Sequence, residues 1–173
     1  MKPLLLITGN SGTGKSHLLH TLFARSGGRV SLLDTCFNYD RFEAPEPAEC
    51  DALAVDHITT LLGARNVALD QARDWCQAYD KVLCVVAATR GQAERYVDIP
   101  AGSIELRVIE RGGQLKLAVV RERETVSFDV GAHRTHDAAD ELLHHVLRAL
   151  EQLGVTLPGR DEDASAEDAP TGI

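Results

Sequence analysis

A glycine-rich stretch between residues 9 and 16 decides the fold of this chain, because it fits the pattern G-x-x-x-x-G-K-[ST] without a mismatch. Its residues are Gly9, Asn10, Ser11, Gly12, Thr13, Gly14, Lys15 and Ser16. An apolar run at 4–7 precedes the stretch, and apolar residues at helical spacing over 18–23 follow it. This order predicts a strand, a phosphate-binding loop and a helix. Glycines let consecutive N–H groups face one anion, and the helix N-terminus adds its partial positive charge there.

The same stretch predicts a binding site for a nucleoside triphosphate. The Lys15 ammonium is expected to reach the β- and γ-phosphates, and the Ser16 hydroxyl is expected to bind Mg²⁺. His17 follows directly and completes the set of residues expected to contact the nucleotide. The pattern is a strong signal for a nucleoside triphosphate as ligand. It is a weak signal for which reaction follows, so the reaction has to be inferred from the rest of the chain.

Length and charge limit the domain organisation and the partners. The 173 residues suffice for one hydrophobic core and are too few for two substantial domains. We expect one domain over 1–154 and an acidic, disordered tail over 155–173, where five acids and one base follow residue 159. The formal charge of −8 argues against binding nucleic acid by bulk electrostatics but leaves room for a local basic strip. Without an apolar run of membrane length, a cytoplasmic protein with no membrane contact is expected.

Short apolar runs alternate with amphipathic segments in the first half of the chain. Strands are predicted over 29–34, 52–56 and 81–88, and a helix over 66–79. Such an alternation predicts an α/β fold with a mainly parallel sheet that binds its ligand at the carboxyl ends of the strands. The phosphate loop, Asp34, Asp56 and Thr89 all fall at those ends.

The pattern changes after residue 103. Residues 104–109 and 115–119 alternate with period two around Gly112 and Gly113, which predicts a hairpin, and 125–130 adds a further strand. These strands are expected to extend the sheet in antiparallel fashion. A final helix, capped near Asp137, carries a continuous apolar stripe over 142–153 that is expected to pack on the core.

Two residues are candidates for the chemistry of a nucleotide site. Asp56 ends an apolar strand and has the position of a Walker B acid, which holds Mg²⁺ through water opposite Ser16. The competing Asp51 lies at the wrong end of the same strand. Many ATPases have a Glu directly after that acid, but this chain has His57. Asp34, at the end of the adjacent strand, is the best remaining candidate to orient an attacking water.

The order of these parts resembles the core of RecA-type ATPases, which include RecA and RadA recombinases, KaiC-like proteins and DnaB-type helicases. The resemblance covers roughly residues 3–130 and implies a P-loop NTPase fold, a three-layer αβα sandwich with a mainly parallel sheet. It implies ATP and Mg²⁺ as ligands, Asp34 as the catalytic acid in place of the usual Glu, and Asp56 as the Walker B acid. Thr89 or Gln92 takes the place of the sensor that follows the fourth strand.

The resemblance also implies partners. Arg121 and Arg123 resemble the basic pair that helicase-type relatives insert into the nucleotide site of a neighbouring subunit, which implies a homo-oligomer; a solvated strand edge is the alternative. Arg90, Arg95 and the loop 91–102 match in order a DNA-facing loop of recombinases, and an ordinary surface loop is the alternative. A larger protein partner for the tail and the last helix is a further expectation.

Together these features predict a Mg²⁺-dependent ATPase that serves DNA recombination, replication or mobile-element DNA, with slow hydrolysis because Asp34 reaches less far than a Glu. Three alternatives stay open. A small nucleotide or metabolite kinase would need an arginine-rich lid, and the stretch from Thr89 to the next predicted strand has only Arg90 and Arg95. A non-catalytic nucleotide switch fits the missing Glu at position 57. A packaging or secretion ATPase fits the strand order but not His57.

Overall fold

The structure is a computed structural model that describes residues 1–25, 27–132 and 136–155. Apart from its first residue, the predicted acidic tail over 155–173 lies outside the described residues. So does the side chain of Asp137, the predicted cap of the last helix.

Seven strands and four helices make up the described part of the chain. The strands are β1 (Leu5–Gly9), β2 (Val30–Asp34), β3 (Ala52–Asp56), β4 (Val82–Ala87), β5 (Ile104–Arg111), β6 (Gln114–Arg121) and β7 (Glu124–Ala132). The helices are α1 (Lys15–Arg25), α2 (Val67–Ala78), α3 (Arg90–Ala93) and α4 (His136–Gln152). Single turns of 3-10 helix occur at Pro47–Glu49 and Leu61–Gly63.

All seven strands form one sheet in the order β2-β3-β4-β1-β5-β6-β7. The first five strands in this order run parallel, and β6 and β7 continue the sheet in antiparallel fashion. Every residue of β1 is buried, as its continuous apolar run requires of a parallel strand covered on both faces. The strand β6 alternates between exposed and buried residues over its first half, which suits a strand with one open face.

Two hydrophobic cores cover the two faces of the sheet. On one face α1 and α4 pack through Leu19, Leu22, Phe23, Leu143 and Leu150, all essentially inaccessible to solvent. On the other face α2 packs through Leu69, Ala72 and Trp75. This arrangement confirms the predicted three-layer αβα sandwich with its antiparallel extension and final helix.

The ends of α2 follow local rules. The side chain of Asn66 accepts a hydrogen bond from the backbone N–H of Leu69 at 3.0 Å and so caps the first turn. The predicted segment 66–79 is confirmed to within one residue at each end. Beyond β4 the chain turns into the four-residue helix α3, capped by Thr89, where the sequence predicted only a loop. Among the described residues, no helix is both long and apolar enough to span a bilayer.

The packing generates a prediction for Leu106, which lies in β5 with no exposed surface. Replacing it with Ala should lower the free energy of unfolding by about 2–5 kcal/mol, because a buried cavity replaces well-packed contacts. The matched control is Leu61→Ala, since that side chain is 66% exposed and its truncation should cost no more than about 0.5 kcal/mol. Urea unfolding of the two variants measures the difference, and equal losses would contradict the packing described here.

Candidate functional site

The phosphate loop connects the end of β1 to the start of α1 and is held by its own hydrogen bonds. The N–H and the hydroxyl of Thr13 both donate to the Asn10 carbonyl, at 3.3 and 2.9 Å. The N–H of Gly9 donates to the carbonyl of Ala88 at 3.2 Å, which fastens the loop to the end of β4. The loop therefore has a defined shape that depends on the neighbouring strand.

Lys15 lies across the loop. Its ammonium donates to the carbonyl oxygens of Gly9 at 2.7 Å and of Asn10 at 2.9 Å. Partial burial lowers the pKa of Lys15 from its ordinary value, and the charge of Asp56 acts in the opposite direction. The amine is thereby held at the mouth of the loop, where a phosphate group would compete for its hydrogen bonds.

Asp56 and Ser16, the two predicted Mg²⁺ ligands, are in contact at the end of the loop. The Ser16 hydroxyl donates to Oδ2 of Asp56 at 2.7 Å, although 40 residues separate the two in the chain. A hydroxyl and a carboxylate oxygen in contact are the hard oxygen ligands that Mg²⁺ prefers, so this pair fits the ion. The competing acid, Asp51, lies at the other end of β3, where Arg29 donates to it at 2.7 Å through its backbone N–H and at 3.1 Å through Nε. The hydrogen bond from Arg29 also lowers the pKa of Asp51.

A cavity of about 410 Å³ opens in front of the loop. The loop contributes Ser11, Gly12, Gly14, Lys15, Ser16 and His17, and the facing strand ends contribute Asp56, His57, Ile58, Thr59, Val86, Ala87, Ala88 and Gln92. Six of the nine predicted nucleotide-binding residues and both predicted metal ligands thus share one cavity with His57, whereas Gly9, Asn10 and Thr13 do not line it. Asp34 does not line it.

Asp34 contacts His57, and His57 lines the cavity. Its Oδ2 lies 3.0 Å from Nδ1 of His57, and its Oδ1 accepts a hydrogen bond from the N–H of Cys36 at 2.9 Å. His57 has a positive φ of 51°, a conformation that side-chain-bearing residues seldom adopt, and its N–H donates to Oδ1 of Asp56 at 2.7 Å. Sequence reasoning treated position 57 as the place of a missing Glu and missed this pair. The register of β2 on β3, which places Asp34 beside Asp56, is the signal that would have found it.

Thr35 and Asn66 fasten the loops that carry Asp34 and His57. The amide of Asn66 donates to the Thr35 hydroxyl at 3.0 Å and to the carbonyl of Ile58 at 2.9 Å. Thr35 in turn donates to the carbonyl of His57 at 3.1 Å. Both side chains are buried, so they hold the loops after β2 and β3 in one arrangement. Sequence reasoning did not single out either residue.

The two predicted sensor residues have different positions. Gln92 lines the cavity, and its Oε1 accepts a hydrogen bond from the N–H of Ala88 at 2.7 Å. The Thr89 hydroxyl accepts from the N–H of Gln92 at 3.1 Å and caps α3. Gln92 is therefore the residue after β4 that a ligand in this cavity would meet.

Arg121 and Arg123 lie away from the loop within their own chain. Arg121 pairs with Ile104, which pairs with Leu5 at the amino end of β1, so it occupies the opposite edge of the sheet from Gly9. Its guanidinium donates to the carbonyl of Leu153 at the end of α4. Arg123 is exposed in the turn between β6 and β7. Their predicted role in a neighbouring subunit stays a prediction.

Comparisons with known proteins identify no family. No protein-family model matches the chain, and no curated protein sequence matches it. Among solved structures it is similar to a KaiC-like protein from the hyperthermophilic archaeon Pyrococcus horikoshii. The two share 13% identity over 75% of this chain and 86% of that one, with a TM-score of 0.45. A similarity at this level says nothing about activity.

The geometry predicts that Gly9 cannot carry a side chain. A Cβ there would lie 2.6 Å from the carbonyl oxygen of Val108 and 2.8 Å from Oγ1 of Thr13. Gly9→Ala should therefore distort the loop and weaken nucleotide binding by at least about tenfold, a change of about 1.4 kcal/mol. Gly91→Ala is the matched control, because nothing lies within 4 Å of a Cβ at that position. Binding of a fluorescent nucleotide measures both variants, and equal affinities would contradict the predicted clash.

Proposed function

We propose that this protein binds ATP with Mg²⁺ at the loop of residues 9–16 and hydrolyses it. The observation that carries the proposal is the 2.7 Å contact between the Ser16 hydroxyl and the Asp56 carboxylate beside Lys15. A phosphate loop alone accounts for anion binding. The added pair of oxygen ligands supports a metal-assisted reaction at the terminal phosphate.

Backbone and side-chain groups of the loop both bind the triphosphate in this proposal. Backbone N–H groups of the loop and of the first turn of α1 surround the phosphates, and Lys15 exchanges its bonds to Gly9 and Asn10 for phosphate oxygens. Ser16 and Asp56 hold the Mg²⁺ ion. When bound, the ion neutralises negative charge that builds up on the phosphate oxygens during transfer.

His57 positions the attacking water in this proposal, and Asp34 positions His57. With Nδ1 of His57 held by Asp34, the other ring nitrogen is left to accept a hydrogen bond from water. The water oxygen bonds to the γ-phosphorus, and the bond from that phosphorus to the bridging oxygen breaks. The bridging oxygen leaves with the electron pair on ADP, and the water proton passes through His57 to solvent. The role expected for Asp34 becomes one of orientation, as in other Asp–His pairs.

We further propose that ATP turnover serves DNA recombination, replication or mobile-element DNA processing. This part rests on the resemblance to RecA-type ATPases and on the half-buried Arg90 and the exposed Arg95 after β4. Single-stranded DNA should then stimulate turnover. Turnover that is indifferent to DNA would leave the ATPase proposal standing and remove the DNA role.

Steady-state ATP turnover with Mg²⁺ tests the catalytic assignment. Lys15→Ala should abolish turnover because it removes the charge that binds the phosphates, whereas Asp34→Asn and His57→Ala should lower kcat by about 100-fold or more with little change in ATP affinity. Asp129→Asn is the control, since that carboxylate is exposed on β7 and pairs with Lys116 at the surface. Tight ATP binding without turnover in the wild type would favour the non-catalytic switch.

Removal of the metal tests whether Ser16 and Asp56 bind Mg²⁺. Chelation of Mg²⁺ with EDTA should weaken ATP binding by about tenfold or more, because the phosphates then lack the ion that links them to Ser16 and Asp56. The Asp56→Asn variant should show a smaller response to Mg²⁺ than the wild type. Isothermal titration of ATP with and without the metal measures both effects, and ATP binding that ignores Mg²⁺ in the wild type would rule out the assigned site.

A further inference from the structure

A second cavity, of about 380 Å³, lies on the other side of the phosphate loop. Its polar lining comes from the ends of β1 and β4, from α3 and from β5, and includes Asn10, Thr89, Arg90, Glu105 and Arg107. Gly9 and Asn10 line this cavity, whereas residues from Ser11 onward line the first one. The loop thus separates two cavities of similar size.

A buried carboxylate lies at the base of the second cavity. Glu105 is 2% exposed and accepts a hydrogen bond from the hydroxyl of Thr8 at 2.7 Å. Arg107 donates to both of its oxygens, from Nε at 2.9 Å and from Nη2 at 3.1 Å. Burial of a carboxylate is costly unless it is paired, and these contacts supply the pairing. The same hydrogen bond raises the pKa of Arg107.

Two guanidinium groups lie beside Glu105. Arg107 satisfies both carboxylate oxygens, yet a second guanidinium, that of Arg90, lies 3.9 Å from Oε2 of Glu105. Nε of Arg90 donates to Glu94 at 2.8 Å outside the cavity. Each guanidinium is therefore held in place through part of its donors. The Arg107 side chain remains 45% exposed and that of Arg90 42% exposed.

We propose that this second cavity binds the phosphate group of a ligand other than the nucleotide in the loop. Two guanidinium groups fixed by carboxylates present planar, oriented donors, which match phosphate oxygens better than mobile ammonium groups do. The two arginine side chains are already ordered in the free protein, so less conformational entropy has to be lost when the ligand binds. The phosphate comes either from a nucleic acid backbone or from a small phosphorylated molecule.

The experiment uses the full chain saturated with Mg²⁺ and ADP, so that the loop of residues 9–16 is filled. The probes are a fluorescein-labelled oligothymidylate of about 12 nucleotides and inorganic phosphate. We expect saturable binding of at least one probe, weakened about tenfold or more in Arg90→Gln and in Arg107→Gln. Arg111→Gln, an exposed arginine at the far end of β5, is the matched control and should bind as the wild type does.

The two probes distinguish the sources of the phosphate. Oligonucleotide binding that falls steeply with salt and exceeds the affinity for inorganic phosphate identifies a nucleic acid. Binding of inorganic phosphate without the oligonucleotide identifies a small phosphorylated ligand. No saturable binding of either probe, or equal losses in all three arginine variants, would overturn the proposal.

Two further variants serve as controls, one for the unpaired charge left in Arg107→Gln and one for binding at the phosphate loop. Arg107→Gln removes the guanidinium that bonds both oxygens of the buried Glu105, so the double variant Glu105→Gln/Arg107→Gln, which removes both charges, is measured beside it. A double variant that folds like the wild type, as judged by urea unfolding, and still binds the probe at wild-type affinity also counts against the site. Lys15→Ala without ADP repeats the titration in a chain whose loop is disabled. Probe binding by this variant would support the second site whether or not the proposed ATPase activity is correct.

Discussion

The candidate site depends on the parallel, in-register pairing of β2, β3, β4 and β1. Both faces of β1, β3 and β4 are buried under helices, which forbids a shift of register because a shift by one residue would turn the apolar side chains to the wrong face. The pairing brings the carboxyl ends of all four strands to one edge. Ser16 and Asp56 can touch there only because the intervening strand β4 keeps β1 and β3 at a fixed separation.

The same edge concentrates polar groups that the sheet could not tolerate in its centre. On one side of the phosphate loop, Lys15, Ser16 and Asp56 bond to one another or to the loop carbonyls. On the other side, Thr8 and Arg107 satisfy Glu105. The contacts of Ser16 with Asp56 and of Thr8 with Glu105 join residues that are distant in sequence, so the loop is bordered on both sides by oriented charges in partly dehydrated surroundings. Oriented charges in such surroundings act strongly on an anion, because little solvent screens them.

Local patterns were enough to predict the phosphate loop, the layers of the fold and the position of Asp56, since each depends on neighbouring residues or on where a strand ends. The contacts between side chains were not predictable in this way. The pairs Asp34 with His57 and Asn66 with Thr35 require the register of two strands and the path of two loops. Glu105 alternates with apolar residues in β5, as on a solvated face, yet it is buried because its face of the sheet lies under α3 and the phosphate loop.

The position of Arg121 restricts how the predicted arginine pair could act. β1 is five residues long, so its two ends are separated by roughly 15 Å. Arg121 lies at the edge of the sheet where the parallel strands begin (the amino edge), and the phosphate loop starts at the edge where they end (the carboxyl edge). Arg123, in the adjacent turn, shares that edge. Neither can reach the loop of its own chain, so a role at a nucleotide requires a neighbouring copy that presents its amino edge to the loop. A contact between two different surfaces of the same chain is head-to-tail, and it produces a closed ring or an open filament but never a two-fold dimer.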